Sequence, residues 1–226
     1  MRLFARKLTS GDAIVTFNYD VALEIELIRA NRFRVRDGYG FEADWNEPNS
    51  DVKLLKLHGS INWTGEIAGP RPGFSAGGIR LLGPYVDNRQ SLLPGYDSVI
   101  LDKTCSGRGG ITDRSITMIL PTHRKRFGVE TSLGDEWSGV YQRLWNKADR
   151  LVAEADRIVI IGYSMPRADE RATQLLLGRS NKDVRLAVCC DKATGDIEQR
   201  FRDAGFTSIQ RIGDPTFDGY LAHQPA

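Results

Sequence analysis

The stretch RIVIIGYSMP, Arg157 to Pro166, decides how the chain is read. Arg157-Ile158-Val159-Ile160-Ile161 holds the longest uninterrupted apolar stretch and reads as a strand, and Gly162-Tyr163-Ser164 ends it in a turn. Such a strand needs helices above and below it, and the flanking sequence supplies them. Upstream, apolar residues from Trp137 to Ala155 keep a 3,4 spacing that predicts one long helix over 136–155. Downstream, the pattern predicts a helix from Asp169 to Leu177, a strand from Val184 to Cys190, a helix from Thr194 to Ala204 closed by Gly205, and a last strand near 208–212. This alternation predicts the α/β class, a Rossmann-like doubly wound parallel sheet with helices on both faces.

The N-terminal part repeats the pattern once. Ala13-Ile14-Val15-Thr16-Phe17 reads as a buried strand, Asn18-Tyr19-Asp20 as a polar turn, and Val21 to Ile28 as a helix with Asp20 placed to cap its first turn. A second run, Val52 to Leu57, reads as a strand ending in the turn His58-Gly59-Ser60. From about 65 to 115, glycines and prolines accumulate, as in Gly69-Pro70-Arg71-Pro72-Gly73, Ser75-Ala76-Gly77-Gly78 and Ser106-Gly107-Arg108-Gly109-Gly110, and predict an irregular insertion. We read 1–226 as a single domain interrupted by that insertion.

The 226 residues carry 31 Lys plus Arg against 29 Asp plus Glu, a formal charge of +2, so no strong overall field draws nucleic acid or a membrane surface. The only dense basic run, His123-Arg124-Lys125-Arg126, reads as a solvated face or a phosphate contact within one site. Cys105, Cys189 and Cys190 are too few for a disulfide framework or a four-sulfur zinc site. No signal segment or membrane span is legible, and a cytoplasmic protein is expected. Trp137 and Trp145 read as core or as an oligomer contact; Trp63 reads as a pocket wall or an exposed loop anchor; the tail around His223 is expected to fray.

In open parallel sheets, ligands collect beyond the carboxyl ends of the strands. That rule selects Thr16, Asn18 and Asp20, then His58, then Gly162 and Ser164, then Asp191 after Cys190. Each has an ordinary alternative: Asn and Asp form turns and caps, a His before Gly sits in a turn, and Gly162 and Ser164 start a helix.

Taken together, Thr16-Phe17-Asn18-Tyr19-Asp20, Lys56-Leu57-His58-Gly59-Ser60, Leu120-Pro121-Thr122 and Ile161-Gly162-Tyr163-Ser164-Met165-Pro166 with Asp169 resemble the sirtuin-like fold, and more closely the bacterial sirtuin-like domain of anti-phage defence systems. The resemblance covers about residues 10 to 205. It implies an NAD pocket in which the nicotinamide–ribose bond is hydrolysed. Asn18 would orient the ribose or the attacking water, Asp20 would hold the carboxamide, and His58 would act as general base. Gly162 and Ser164 would lie against ribose or phosphates, with Thr16 beside them and Asp191 at the adenosine ribose in place of the family's usual Asn. Implied partners are NAD itself and either a second copy or a defence-system protein.

Two departures bear on that expectation. Deacetylating sirtuins carry a four-cysteine zinc module after the His; with one cysteine there, neither zinc nor an acyl-lysine substrate is expected. The fold also opens with a strand, a Gly-Ala-Gly phosphate loop and a helix, whereas 12 residues precede Ala13, so that unit is expected to be missing. Leu3 to Leu8 then reads as the last turns of a helix. The alternative function is a catalytically silent sirtuin-like module that binds nucleotide or serves as an assembly surface.

Overall fold

A computed structural model describes residues 1–34, 38–40, 51–67, 77–81, 85–87, 90–91, 114–118, 135–190, 194–212 and 214–223. Helix α1 (Arg2–Lys7) precedes strand β1 (Ala13–Thr16) and helix α2 (Ala22–Arg29). Strand β2 (Lys53–Lys56) runs parallel to β1, with Thr16 beside Lys56. The Leu57 amide donates to the Thr16 carbonyl at 3.1 Å, so the two chains leave this sheet at a common rim.

Strands follow where an irregular insertion is expected. Strand β3 (Gly59–Ile67) pairs antiparallel with β4 (Gly77–Leu81), while β5 (Tyr85–Asp87) pairs with β6 (Gln90–Ser91) and β7 (Arg114–Met118) returns along β3. The sheet order is β4-β3-β7. Period-two patterning in this stretch is weak and rich in glycine, which hides strands whose pairing is set by long-range contacts. The turn at His58 is also shorter than expected, because β3 begins at Gly59, whose φ of +86° only glycine adopts readily.

The C-terminal half matches its pattern closely. Helix α3 (Asp135–Glu154), strand β8 (Arg157–Ile161), helix α4 (Glu170–Leu177), strand β9 (Arg185–Cys189), helix α5 (Thr194–Asp203), strand β10 (Ile209–Ile212) and helix α6 (Phe217–Ala222) follow in order. The three strands form a parallel sheet, β10-β9-β8. Alternation along β8 explains its uninterrupted hydrophobicity. Ile158 and Ile160 enter the main core with Leu144, Trp145 and Leu175, while Val159 and Ile161 pack on the other side with Ala187, Cys189, Ile212 and Tyr220.

Two expectations about aromatic residues and the tail change. Trp63 is fully buried, 5.2 Å from the Tyr39 ring and 6.5 Å from that of Tyr141, so it is core rather than loop anchor. The tail docks instead of fraying: Phe217 and Tyr220 lie 4.5 and 6.3 Å from the Phe4 ring, and His223 Nδ1 lies 2.8 Å from the Gly219 carbonyl oxygen. Trp145 is buried, with the Arg171 guanidinium 4.5 Å over its ring.

The molecule is thus a mixed α/β fold with two parallel sheets. Among the described residues, β1 bonds only to β2 and β8 only to β9. These two edges face each other in the same sense: just beyond their carboxyl ends Phe17 and Tyr163 stack at 4.6 Å, while at their amino ends Arg157 and Asp12 both act on Tyr220. Their Cα atoms lie for the most part more than 8 Å apart, against about 4.7–4.9 Å for bonded neighbours. Among the described residues, no helix is long and apolar enough to cross a membrane.

Candidate functional site

The opening between β1 and β8 is a cleft of about 610 Å³, within the size range of small-molecule sites. Thr16 at the end of β1, Asn18 beyond it, and Gly162 and Tyr163 beyond β8 line it at the carboxyl rim; Leu151, Val152 and Leu175 line its apolar flank. A second cavity of about 570 Å³ opens from the other face, sharing Thr16 and Asn18 and adding Asp20, Glu24 and Lys56.

Each candidate residue is placed by local chain geometry. The Thr16 hydroxyl accepts from the Asn18 amide at 3.1 Å, which turns the chain out of β1 and leaves the Asn18 side chain exposed. Asp20 Oδ1 accepts from the Ala22 amide at 3.0 Å, a turn bond that leads into α2, whose N-cap position is held by Val21 rather than by Asp20. The Gly162 amide donates to the Cys189 carbonyl at 2.8 Å, extending the β8–β9 ladder by one bond before the turn. Ser164 is exposed in that turn and does not line either cavity. Asp191, Leu120-Pro121-Thr122, His123 to Arg126, Cys105 and Ser106 to Gly110 lie outside the described residues.

Gly162 has φ +66°, and a Cβ there would meet the Pro215 carbonyl oxygen at an ordinary 3.5 Å. Gly162→Ala is therefore expected to cost about 1–2 kcal/mol through its backbone alone, measurable in urea unfolding. A neutral result would mean that this turn relaxes freely.

His58 leaves β2 at the same rim but lies behind the cleft wall. It is 4% exposed, and its ring centroid is 5.0 Å from Phe17, 6.4 Å from Tyr19 and 6.5 Å from Trp145. Phe17, against which the His58 ring packs, lines the cleft and stacks on Tyr163, which lines it too. Asn18 and His58 thus belong to adjoining strand ends, each two residues past the Thr16–Lys56 pair, while only Asn18 reaches the cavity.

Two charged features have contacts that the sequence reading did not assign. Asp169, 3% exposed, places Oδ2 3.4 Å from His58 Nε2 and 3.5 Å from the Tyr163 hydroxyl, which donates to it. Burial, and then the Asp169 charge, push the Tyr163 phenol well above its ordinary value and raise that of Tyr19 in the same way. The second feature is an ion pair between Glu24 and Lys56, 2.7 Å apart and each 1% exposed. A lysine inside the apolar run 52–57 was its only signal in the sequence. Cys189 and Cys190 are buried, and burial pushes the Cys189 thiol up to about 11, far from a reactive thiolate.

Among the described residues, no group of three or more His, Cys, Asp or Glu is placed to hold a metal ion. No family model, no curated protein and no solved structure matches the chain. The chemistry of the site therefore rests on its own residues and on the motif resemblance.

Proposed function

We propose that the protein is a sirtuin-like NAD glycohydrolase, and that its two parallel sheets are the halves of one Rossmann-like doubly wound sheet opened between β1 and β8. The observation that carries this reading is the gathering of three strand ends at one rim. Phe17 after β1 lies 5.0 Å from the ring of His58 after β2 and 4.6 Å from that of Tyr163 after β8, with Thr16, Asn18 and Gly162 lining the adjoining cleft.

In this reading, NAD is the substrate and lies along the cleft. The C1′–N bond to nicotinamide breaks with its electron pair going to the ring nitrogen, a water oxygen bonds to C1′ and gives up one proton to solvent, and ADP-ribose and nicotinamide leave. The Asn18 amide orients the water or the ribose. His58 takes a ribose hydroxyl proton as charge builds on the sugar, after the Phe17–Tyr163 pair moves aside, a contribution of about 10²–10⁴ in rate for a placed general base. Asp20 faces the second cavity and its role at the carboxamide shares its carboxylate with the start of α2.

The test follows free nicotinamide by chromatography after incubating the protein with NAD, with His58→Ala and Asn18→Ala alongside. Release by the wild type well above both variants is expected. Equal background in all three overturns the enzyme reading. A second reading, a catalytically silent nucleotide-binding or assembly module, is favoured by one observation, the burial of His58 behind Phe17. NAD binding without nicotinamide release is its signature.

A further inference from the structure

The geometry points to Asp169 as the positioning residue of His58: its carboxylate holds the imidazole proton on Nε2 and so puts the basic lone pair on Nδ1. The inference deepens the NAD-hydrolase reading and rests on it for its catalytic meaning, while the pairing itself is measurable without turnover.

Asp169 occupies the N-cap position of α4, where an aspartate ordinarily accepts from the amides of the first turn, worth about 1 kcal/mol. Here its side chain makes no cap bond. It is instead turned inward, with Oδ2 between His58 Nε2 at 3.4 Å and the Tyr163 hydroxyl at 3.5 Å. A carboxylate that gives up its local role and is buried needs partners that stabilise its charge, and an imidazole N–H and a phenol O–H are such partners.

The backbone around it is held in place from several sides. The Asp169 amide donates to the Pro166 carbonyl at 2.9 Å, and its own carbonyl accepts from the Thr173 amide at 3.0 Å. Arg200 on α5 donates to the Met165 carbonyl at 2.6 Å and to the Thr173 hydroxyl at 3.2 Å, bracketing the turn. Buried Met165 adopts φ +47°, an uncommon state for a residue with a side chain, which the Arg200 contact helps to hold. Asp169 is thus aimed by a fixed turn, and the imidazole it faces is wedged among Phe17, Tyr19 and Trp145. The bond that one ring nitrogen makes decides which nitrogen carries the proton, so this contact leaves Nδ1 as the base. No atom is transferred to Asp169; the ribose proton goes to Nδ1.

The experiment is long-range proton–nitrogen correlation NMR on the ¹⁵N-labelled full chain, at a pH above the His58 titration. The chain has three histidines, and His58→Gln assigns the His58 signal. The expected result is an Nε2–H tautomer in the wild type, lost or mixed in Asp169→Asn and kept in Tyr163→Phe. An Nδ1–H tautomer in the wild type overturns the proposal, and that measurement needs no variant to fold. An unchanged tautomer in a folded Asp169→Asn protein overturns it as well. In the nicotinamide assay, Asp169→Asn should lower kcat by about 10²-fold or more while KM changes by less than about threefold. Full kcat in Asp169→Asn overturns the positioning role. A fixed Nε2–H tautomer in a wild type that releases no nicotinamide upholds the pairing and refutes the hydrolase reading alone.

Discussion

Lys56→Met should cost about 3–5 kcal/mol of folding stability, because it leaves the other half of a sealed ion pair uncompensated. The pair has few ways to relax. Glu24 Oε1 accepts from Lys56 Nζ at 2.7 Å and from the Tyr39 hydroxyl at 3.1 Å, and the same ammonium donates to the Asp20 carbonyl. Burial pushes the Glu24 carboxyl above its usual range against the pull of Lys56, and pushes the Lys56 ammonium below its own against the pull of Glu24. The signs follow from these directions. Glu24 contributes stability below the ordinary carboxyl range and loses it as pH rises through its raised folded value; Lys56 contributes above the ordinary ammonium range and loses it as pH falls through its lowered one. Between those limits both charges are carried at a cost. The double variant Glu24→Leu with Lys56→Met is therefore expected to be far closer to wild type than Lys56→Met alone, with its relative gain largest near neutrality. Urea unfolding of all four proteins gives the coupling energy; strictly additive losses would show that the two side chains do not act as a unit.

Asn18→Ala should remove most nicotinamide release, about 10²–10³-fold in kcat, while leaving stability within about 0.5 kcal/mol of wild type. The asymmetry comes from its place. The side chain is exposed at the cleft, and the local turn is held by the Asn18 backbone amide on the Thr16 hydroxyl, which alanine retains. A melting curve beside the assay separates the two effects. A large fall in melting temperature would mean that the amide is structural, and unchanged turnover would remove Asn18 from the chemistry.

The parallel-sheet half was legible because its signal is local. A run such as Ile158-Val159-Ile160-Ile161 is buried on one face and half-buried on the other, and the helices around it carry their apolar residues at a 3,4 spacing. The antiparallel β3, β4 and β7 were hidden because Gly65, Gly77 and Gly78 sit in strands whose register is fixed across the sheet rather than along the chain. At the rim, strand-end logic pointed to Thr16, Asn18 and Gly162, which line the cleft, and to His58, which does not. Asp169 stood in the quoted motif without a role, because an aspartate before a helix already has an explanation, and only three-dimensional placement shows that its carboxylate has turned away from that helix. Nor does sequence tell that Phe17 would stack on Tyr163 and pack against His58.

The facing edges of β1 and β8 have a consequence for how the protein breathes. Strand β9 is bonded on both sides, while among the described residues β1 and β8 are bonded on one side each. In native-state deuterium labelling, amides of Leu186 to Cys189 should define the slowest class, and those of β1 should take up label earlier, through local openings that leave the C-terminal sheet intact. The interior of the molecule then divides into a rigid half and a more labile one, with the cleft on the line between them.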